Sequence, residues 1–600
     1  MVVPLATPSV AVEHRADGST LFWSRDPLRA HAVSPVHWLR HWGEHAPDRV
    51  LVAERPGGDA GRPWRTVTYR QATDTVDSIA QGLIDIGLSG DRPLLALSGN
   101  SIAHALLMLA GYVAGVPFAP VSTAYSLLSA DHHRLRELIA LTEPAVVFAD
   151  DTDRFAAALT HVPDGVPVIA CAGRRADVRY EDLAATAPTA VVAERTRTIG
   201  RDDVAKILFT SGSTSAPKAV VQTHGMMTAN QQSLAQCWTF VESTPPVLLD
   251  WLPWSHVFGA NNNFNLVLRN GGTHYIDAGR PTPDDLPTTV ANLRDVAPTI
   301  LFNVPAGHAA LLPHLERDDA FARHVFSALQ MIFYAGSALP QDLWDRLRTL
   351  AARHAPTEIP LLSSWGSTET APACTAVHSL DTQRAAIGTP VPGVTVKLVP
   401  HAGKLEMRVK GPNVTPGYLA RPDLTAAAFD DEGFYRMGDA GRFADADRPE
   451  LGLLFDGRVA EDFKLTTGTW VHVGRLRVDL LGALAPYVND VLVAGHERAD
   501  VRALAWPSPA GSAAIAERGW PAVAAEMEQR LVEHGRAGGS SMHAARLLLL
   551  ADRPSIDGGE ITDKSYVNQR VALGNRAHLV ELLYAADAPM VVRAPTADER

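Results

Sequence analysis

Short apolar runs recur along the first two thirds of the chain, and amphipathic stretches separate many of them. The runs lie at residues 93–98, 145–150, 166–173, 206–212, 299–305, 331–336 and 360–366. Turn-forming residues bound each run, which is the pattern of a buried strand. Residues 131–144 and 341–354 have instead the apolar spacing of amphipathic helices. Because alternating strands and helices form α/β layers, we expect a ligand site at the carboxyl ends of the strands.

The pattern changes twice toward the C-terminus. From about Ala386 the strands become short and alternating, which predicts a smaller β subdomain. A further unit begins near residue 457, with strand-like runs at 488–496 and 501–507. The helix that follows has one apolar face, formed by Val523, Met527 and Leu531. The fold class is therefore α/β: a large N-terminal domain of layered α/β subdomains plus a β subdomain, with a small mobile α+β C-terminal domain.

Composition and charge narrow the functional classes. The chain has 600 residues, long enough for two or more domains, and 46% of them are hydrophobic. Its net charge of −12 argues against a general binder of nucleic acid or of anionic membranes. The three cysteines lack metal-site spacing and indicate reduced thiols, so we expect a cytoplasmic protein. The first 18 residues lack a basic start followed by an apolar core, so we expect no secretory signal. The most apolar stretch, residues 105–121, contains glycines and prolines and predicts a buried helix leading into a strand rather than a membrane span.

The segment "ILFTSGSTSAPK", residues 207–218, places many hydroxyl groups on one loop after a strand. The hydroxyls are those of Thr210, Ser211, Ser213, Thr214 and Ser215. Gly212 permits a tight turn, and Lys218 adds a cation, so the loop suits a polyphosphate. The spacing is not that of a Walker loop. Taken alone, the segment is equally compatible with a solvated Ser/Thr turn.

Two later segments add groups that accompany phosphates and nucleosides. "SSWGSTETAP", residues 363–372, places Glu369 where a hard cation such as Mg²⁺ would find an oxygen ligand. Trp365 offers a flat face for a base, although a core tryptophan is the alternative interpretation. In "FYRMGDAGRF", Asp439 follows a glycine turn, where its carboxylate could accept two hydrogen bonds from a ribose diol.

The last two segments supply cations. "FDGRVAEDFKLTTGTW", residues 455–470, contains Arg458 and Lys464 at the proposed domain junction. "GGEITDKSYVNQR", residues 558–570, presents Lys564 in a loop with glycines before it.

Together these five segments resemble the adenylate-forming superfamily of acyl-CoA synthetases, luciferases and peptide-synthetase adenylation domains. The resemblance extends from about residue 37 to residue 573. Residues 250–277, 411–419, 457–471 and 561–570 are most similar to the feruloyl-CoA synthetase branch. The resemblance implies domain boundaries at 1–457 and 462–600, with a hinge at 458–461. It implies ATP, Mg²⁺ and coenzyme A as cofactor and substrates, and a monomer or homodimer.

The resemblance also assigns the ATP-binding residues. The phosphate loop is Thr210, Ser211, Gly212, Ser213, Thr214 and Lys218. Gly336, Ser337, Ala338, Trp365 and Gly366 would frame adenine. Asp439 and Arg458 would hold the ribose, Thr368 would meet the α-phosphate, and Glu369 would bind Mg²⁺. Lys564 would bridge the attacking carboxylate and the α-phosphate, stabilising the transition state.

After adenylation, members of this superfamily rotate the small domain about its hinge. Lys464, which the resemblance adds to the catalytic residues, would accompany that domain, and Gly468 and Thr469 would line the channel for the coenzyme A thiol. Ala460 stands at the hinge where Asp or Lys is usual, Ser215 replaces a common glycine, and Met437 a common threonine. None of these departures removes a charge that the chemistry requires.

The acyl pocket is assigned only by resemblance. Its candidate residues are Trp254, His256, Asn261, Phe264, Asn303, Ala306 and Gly336. For His256 a gate or pocket wall is favoured over a general base, with a structural histidine as the alternative.

These observations predict an ATP-dependent aromatic acid:CoA ligase, with a hydroxycinnamate as the expected acid. One alternative keeps the adenylation but transfers the acyl group to a carrier protein or an amine. A second is a binding protein or regulator that kept the fold without turnover, which the intact set of charged residues disfavours. A phosphotransferase is also disfavoured, since adenylation would release AMP and pyrophosphate rather than ADP.

Overall fold

A computed structural model describes residues 3–210, 217–337, 339–381, 383, 385–401, 403–536, 539, 541–561, 567–585 and 591–593. In chain order its strands are β1 Val10–His14, β2 Thr20–Ser24, β3 Val50–Glu54, β4 Arg65–Thr68, β5 Leu94–Leu97, β6 Phe118–Pro120, β7 Val146–Asp151, β8 Val168–Ala172, β9 Val178–Arg179, β10 Val204–Thr210, β11 Lys218–Thr223, β12 Val247–Asp250, β13 Thr273–Ile276, β14 Ile300–Asn303, β15 Met331–Tyr334, β16 Leu361–Gly366, β17 Ala373–Ala376, β18 Ala386–Pro390, β19 Thr395–His401, β20 Lys404–Lys410, β21 Tyr435–Phe443, β22 Leu453–Arg458, β23 Phe463–Lys464, β24 Trp470–Val471, β25 Val488–Ala494, β26 Arg502–Pro507, β27 Leu547–Leu549 and β28 Val591–Arg593. All seven predicted apolar runs overlap a strand.

The helices are α1 Pro35–His45, α2 Tyr69–Asp85, α3 Ile102–Ala114, α4 His133–Thr142, α5 Ala156–Leu159, α6 Tyr180–Ala184, α7 Ala190–Thr198, α8 His224–Cys237, α9 Phe240–Ser243, α10 Asn265–Asn270, α11 Leu286–Asp295, α12 Pro305–Arg317, α13 Asp319–Phe326, α14 Gln341–His354, α15 Pro422–Ala428, α16 Val473–Leu484, α17 Pro509–Arg518, α18 Trp520–Gly535, α19 Gln569–Asn575 and α20 Ala577–Leu583. Short 3₁₀ or π-helical turns occupy Pro56–Gly58, Ala124–Leu128, Phe258–Phe264, Thr368–Thr370 and Pro449–Leu451. Helices α4, α14 and α18 are the three predicted from their amphipathic spacing. Local chemistry sets many of these bounds: the Ser101 side chain caps the start of α3, and Gly115 ends it with a φ of 76°.

Three sheets build the large N-terminal part. One has seven strands in the order β11-β10-β6-β5-β7-β8-β9, parallel except for the β10–β11 pair. A four-stranded sheet has the order β12-β13-β3-β4. The predicted helix and strand at residues 105–121 are α3 and β6, and α3 is buried throughout. No helix in the described part of the chain is both long and apolar enough to cross a bilayer.

The third sheet joins two regions that the sequence pattern separated. Its eleven strands follow the order β1-β2-β19-β20-β21-β22-β18-β17-β16-β15-β14. The parallel strands β14–β16 belong to the α/β part, and the antiparallel strands from β17 onward continue the same sheet. The expected β subdomain is therefore continuous with the α/β layer, and the N-terminal hairpin β1–β2 pairs with it. Asp439, expected after a glycine turn, lies within β21 next to Gly438, whose φ is 72°.

The C-terminal strands form their own sheet, in the order β25-β26-β27-β28, and β23–β24 form a hairpin. Val523, Met527 and Leu531 are buried on one face of α18, as the periodicity predicted. The apolar clusters of this region contain only residues from Phe463 onward, whereas the other clusters end at Leu454. The predicted fold class is confirmed: the chain is α/β, with a large N-terminal part of sheets and helices.

Candidate active site

A turn after β16 forms the centre of the candidate site. Ser367 caps it, because its hydroxyl accepts from the Glu369 N–H at 3.2 Å. Three successive backbone carbonyl groups of this turn each accept a hydrogen bond from a residue outside the turn. The donors are the Gln222 amide to Thr368 at 2.8 Å, the Thr415 N–H to Glu369 at 2.7 Å, and the Asn413 amide to Thr370 at 2.7 Å. The turn is consequently fixed by β11 and by the loop that follows β20.

Gly366 precedes this turn at a point of close backbone approach. A Cβ atom at this position would lie 1.8 Å from the Pro372 carbonyl oxygen. Only glycine therefore fits at the end of β16, where the resemblance placed an adenine-binding residue.

The Glu369 carboxylate is buried against two tyrosines. Tyr418 donates its hydroxyl to Glu369 Oε1 at 3.0 Å, and the Tyr418 and Tyr435 hydroxyls lie 3.0 Å apart. Burial, followed by the nearby Glu369 charge, raises the pKa of Tyr418 well above its ordinary value, so this phenol stays a donor. Lys218 Nζ lies 4.9 Å from the centre of the Tyr418 ring. One tyrosine thus contacts a cation from β11 through its ring and a carboxylate through its hydroxyl.

Trp365, Asp439 and Arg458 form a second group beside this turn. The Trp365 indole N–H donates to Asp439 Oδ2 at 2.8 Å, and Arg458 Nε lies 2.9 Å from Asp439 Oδ1. Burial raises the pKa of Asp439, against the lowering effects of Arg458 and Trp365, while Asp439 raises the pKa of Arg458. Trp365 is 6% exposed, so it is a core residue whose indole N–H is bound to Asp439, and its contact with a base stays a prediction.

The phosphate-loop prediction is only partly within the described structure. Thr210 ends β10 and pairs in register with Lys218, which begins β11. Both side chains are therefore held at the same end of the seven-stranded sheet, which is the end where ligands were expected. Ser211, Gly212, Ser213 and Thr214 lie outside the described residues.

The remaining adenine candidates follow β15. Gly336 has a φ of 93° and is exposed, as is Ser337. Ala338 lies outside the described residues.

Four of the seven acyl-pocket candidates are buried in the N-terminal part. Trp254, Asn261 and Phe264 are at most 1% exposed and Asn303 is 6% exposed, whereas Ala306 is exposed. The Trp254 and Phe264 rings lie 5.0 Å apart. His256 Nδ1 accepts from the Phe258 N–H at 3.2 Å.

Candidates from the C-terminal region lie on its surface or outside the described part. Lys464 is exposed, with Nζ 5.0 Å from the centre of the Trp470 ring. Gly468 and Thr469 are exposed in the β23–β24 hairpin. Lys564 is not among the described residues. The Asp557 carboxylate nevertheless accepts from the Ala130 N–H at 3.2 Å, which brings the segment before Lys564 against the N-terminal part.

Several residues of the site escaped sequence reasoning. They are Lys206, Gln222, Asn413, Thr415, Tyr418 and Tyr435. Asn413, Thr415, Tyr418 and Tyr435 lie in segments that the motifs singled out without assigning them a role, and the signal for Lys206 was a charged residue at the start of an apolar run.

Glu369 fits a magnesium ion in the chemistry of its donor atoms. It supplies a hard carboxylate at a buried position, one oxygen of which is oriented by Tyr418. Among the described residues no group of three or more His, Cys, Asp or Glu side chains could hold a metal. A single carboxylate with substrate phosphates is the usual setting for Mg²⁺.

Comparison with known proteins agrees with this arrangement. The profile of the AMP-binding enzyme family matches residues 39–419. The chain belongs to the AMP-binding enzyme family. This match confirms the resemblance to adenylate-forming enzymes that the five motifs indicated.

The relatives of this chain include a peptide synthetase and CoA ligases for different acids. A probable non-canonical nonribosomal peptide synthetase from Salinispora arenicola is 26% identical over 73% of this chain, which spans 5% of the synthetase. A 3-[(3aS,4S,7aS)-7a-methyl-1,5-dioxo-octahydro-1H-inden-4-yl]propanoyl:CoA ligase from Rhodococcus jostii is 26% identical, covering 63% of this chain and 72% of the ligase. A feruloyl-CoA synthase from Amycolatopsis is 28% identical, covering 65% and 72% respectively.

Solved structures share the fold. ATP-bound MatB from Rhodopseudomonas palustris superposes with a TM-score of 0.70 and 24% identity, covering 91% of this chain and 99% of MatB. The A domain of a carboxylic acid reductase from Segniliparus rugosus, solved with AMP and a co-purified carboxylic acid, has a TM-score of 0.69 and 19% identity. That match covers 92% of this chain and 94% of the A domain. These likenesses establish the architecture alone.

Proposed function

We propose that this AMP-binding enzyme is an ATP-dependent acid–thiol ligase that activates a carboxylic acid as an acyl-adenylate and transfers it to coenzyme A. The observation that carries the proposal is the fixed Thr368–Thr370 turn, which holds buried Glu369 beside the Asp439–Arg458 pair. A carboxylate and a triphosphate repel each other, so their reaction needs fixed cations and hydrogen-bond donors.

Each group of the site has a role in this proposal. Thr368 meets the α-phosphate, and Asp439 with Arg458 receives the ribose hydroxyls. Glu369 holds Mg²⁺, which when bound neutralises phosphate charge. Lys218 and the segment 211–214 hold the outer phosphates, and Lys564 stabilises charge where the acid attacks.

We infer an aromatic acid, a hydroxycinnamate, as the substrate class. Aromatic side chains among the candidate pocket residues and next to them along the chain support this class. Trp254 and Phe264 form one pair, and Phe258, Phe302 and Phe333 form a cluster with ring centres 5.0–6.0 Å apart. Aromatic rings in a pocket favour a planar substrate through offset or edge-on contacts. Feruloyl-CoA synthases among the relatives support the same class.

A second acceptor stays open. The nonribosomal peptide synthetase and carboxylic acid reductases among the relatives favour a carrier protein or an amine as the alternative to coenzyme A.

For the domain arrangement, we propose that residues 458–461 form the hinge between residues 1–457 and 462–600. The separate apolar cores on either side support this division.

One experiment tests the proposal. The purified chain is incubated with ATP, Mg²⁺ and a panel of acids, with and without coenzyme A, while AMP, ADP and thioester are measured. We expect AMP with 4-hydroxycinnamates well above palmitate, and thioester only with coenzyme A. ADP as product would contradict adenylation. Palmitate preferred over ferulate would contradict the aromatic class alone, and adenylate without thioester would favour the second acceptor.

A further inference from the structure

Lys206 is a fully buried lysine without an anionic partner. It lies on β10 and is 0% exposed, and no carboxylate of the described residues pairs with it. Its one hydrogen-bond acceptor there is Asn261 Oδ1, at 3.0 Å from Nζ. Burying an ammonium group with a single neutral acceptor costs folding free energy. Packing alone gives no reason for a lysine at this position.

Lys206 begins a chain of buried hydrogen bonds that ends at the centre of the site. Asn261 Nδ2 donates to Gln222 Oε1 at 2.9 Å, and Gln222 Nε2 donates to the Thr368 carbonyl at 2.8 Å. Lys206 and Gln222 are register partners on β10 and β11, so their side chains share one face of the sheet. Asn261, from the π-helical turn Phe258–Phe264, bridges them. We call these four residues the Lys206 relay.

The two ends of the Lys206 relay fix its direction. The Lys206 amino group donates to Asn261 Oδ1, and a backbone carbonyl can only accept. Both amides between them must therefore present oxygen toward Lys206 and N–H toward Thr368. Without the lysine, only the Thr368 carbonyl sets the direction, and Asn261 Oδ1 loses its donor, so the two amides are held less firmly. If both amides turn over, Gln222 presents its oxygen to the Thr368 carbonyl, and the two repel.

We propose that Lys206 is a positioning residue for adenylation, which sets the polarity of the Asn261 and Gln222 amides and thereby holds Thr368 toward the α-phosphate. The catalytic assignment of Thr368 rests on the proposed function. The lysine acts through three hydrogen bonds and does not touch the substrate. Lys206 therefore lowers the stability of the fold and supports activity, which is a stability–activity trade-off.

The first test replaces Lys206 with methionine, which has a similar shape and no charge. Adenylation is measured as ATP–pyrophosphate exchange with a saturating acid. We expect kcat to fall by about 10- to 100-fold, as for a misplaced reacting group, while KM for ATP stays within about 3-fold. The melting temperature should equal or exceed that of the wild type, since the buried charge is gone. A wild-type kcat in a folded Lys206→Met variant would overturn the proposal.

Lys397→Met is the matched control. Lys397 is 6% exposed but pairs with Asp430 at 3.2 Å and with Glu432, neither of which belongs to the relay. We expect this variant to melt at a lower temperature with an unchanged kcat. A loss of kcat in both variants would attribute the effect to buried lysines in general and overturn the specific role.

Asn261→Asp tests the polarity without changing the lysine. Aspartate accepts from Lys206 but has no N–H for Gln222, so Gln222 turns its amide toward residue 261 and its oxygen toward Thr368. We expect a folded enzyme whose kcat falls as in Lys206→Met. This variant decides the question if Lys206→Met does not fold, and full activity in it would rule the relay out.

Hydrogen exchange separates this inference from the proposed function. In the free protein, Lys206→Met should speed amide exchange across residues 367–371 by about tenfold or more, whereas Lys397→Met should not. Wild-type protein that adenylates no acid would refute the proposed function and leave this measurement standing. Unchanged exchange across the turn would overturn the relay even in an active enzyme.

Discussion

At the scale of single residues, Glu369 is the group whose charge the proposed chemistry needs most directly. Glu369 is 8% exposed, and its carboxylate accepts a hydrogen bond from the Tyr418 hydroxyl. Glu369→Gln keeps the size and the hydrogen bond but removes the anion that a hard cation requires. We expect at least about a 100-fold loss of adenylation with an unchanged melting temperature.

Tyr418→Phe is the control for that change, because it removes the orienting hydrogen bond and leaves the carboxylate. Its loss of adenylation should stay below about tenfold. Steady-state rates at limiting and saturating Mg²⁺ make the comparison. Glu369→Gln with wild-type turnover at limiting Mg²⁺ would remove this residue from the site.

Lys206 also gives stability a defined dependence on pH. Burial lowers its pKa from an ordinary 10.5 to about 7. Between these values the unfolded chain binds a proton that the folded chain lacks, so the free energy of unfolding rises with pH. The loss of stability caused by burying the Lys206 charge has its full size below pH 7 and vanishes above about pH 10.5. The facing histidine, His104, stays neutral in this window, because burial and then Lys206 lower its pKa to about 3.

Lys206→Met should therefore raise the free energy of unfolding above that of the wild type most strongly near pH 7, and this difference should shrink as pH rises. Between pH 7 and 10, the difference in free energy of unfolding between Lys206→Met and the wild type, measured by urea unfolding, should shrink by up to about 1.4 kcal/mol per pH unit. Lys397→Met is again the control. The acidic partners of Lys397 raise its pKa against the effect of burial, so its difference from the wild type should stay constant from pH 7 to 9. A flat profile for Lys206→Met would mean that the folded protein keeps this lysine fully protonated.

The sequence predicted single residues where they carry a charge in a recognisable motif. Glu369, Asp439 and Arg458 were assigned in this way. Gln222 and Asn413 were missed, because an amide that binds a backbone carbonyl has no local pattern. Its partner is set by strand register and by loops that lie far apart along the chain.

At the scale of elements, Gly366 determines how β16 can end. An added Cβ would lie 1.8 Å from the Pro372 carbonyl oxygen. Because the Cβ and this oxygen are both attached directly to the backbone, neither can move away by a side-chain rotation. Gly366→Ala must displace the turn that carries Thr368. We expect a loss of about 1–3 kcal/mol or more in the free energy of unfolding, together with lower adenylation.

Gly482→Ala is the matched substitution. Gly482 lies within α16, where an added Cβ would meet nothing within 4 Å. Alanine in a helix interior should add about 0.5–1 kcal/mol of stability. Chemical unfolding of both variants gives the comparison, and equal effects would show that close approach does not explain Gly366.

Elements themselves were predicted well where they are apolar and local. Strands β5, β7 and β14–β16 follow from short buried runs, and α14 follows from its spacing. The eleven-stranded sheet could not be predicted, because β2, which also pairs with β1, pairs with β19 across hundreds of residues. Local periodicity contains no information about such register.

At the scale of the whole molecule, the two proposed half-reactions require two placements of the C-terminal region. The structure has the segment before Lys564 against the N-terminal part, through the Asp557–Ala130 contact. In the same arrangement Lys404 Nζ lies 2.5 Å from Asp462 Oδ2, and the side chains of this ion pair are 5% and 6% exposed. Gly468 lies exposed in the β23–β24 hairpin. This placement is consistent with the adenylation step and leaves the proposed thiol channel to another placement.

Substitutions at Lys564 and Gly468 should therefore separate the half-reactions. Lys564→Ala should reduce adenylate formation by about 100-fold or more, since a charge that stabilises the transition state is removed. Given preformed acyl-adenylate and coenzyme A, the same variant should form thioester near the wild-type rate. Gly468→Asn should do the reverse. Asparagine tolerates the left-handed conformation at Gly468, whose φ is 82°, so the substitution adds bulk with little backbone strain.

Single-turnover measurements of both half-reactions on each variant test this separation. Thr467→Val, one residue before Gly468 in the same exposed hairpin, is the control for a general disturbance there, and we expect it to slow neither half-reaction by more than about threefold. Equal damage to both half-reactions by Lys564→Ala would make that lysine structural. Gly468→Asn with normal thioester formation would place the thiol channel elsewhere, and the two results together would leave the rotation of residues 462–600 without support.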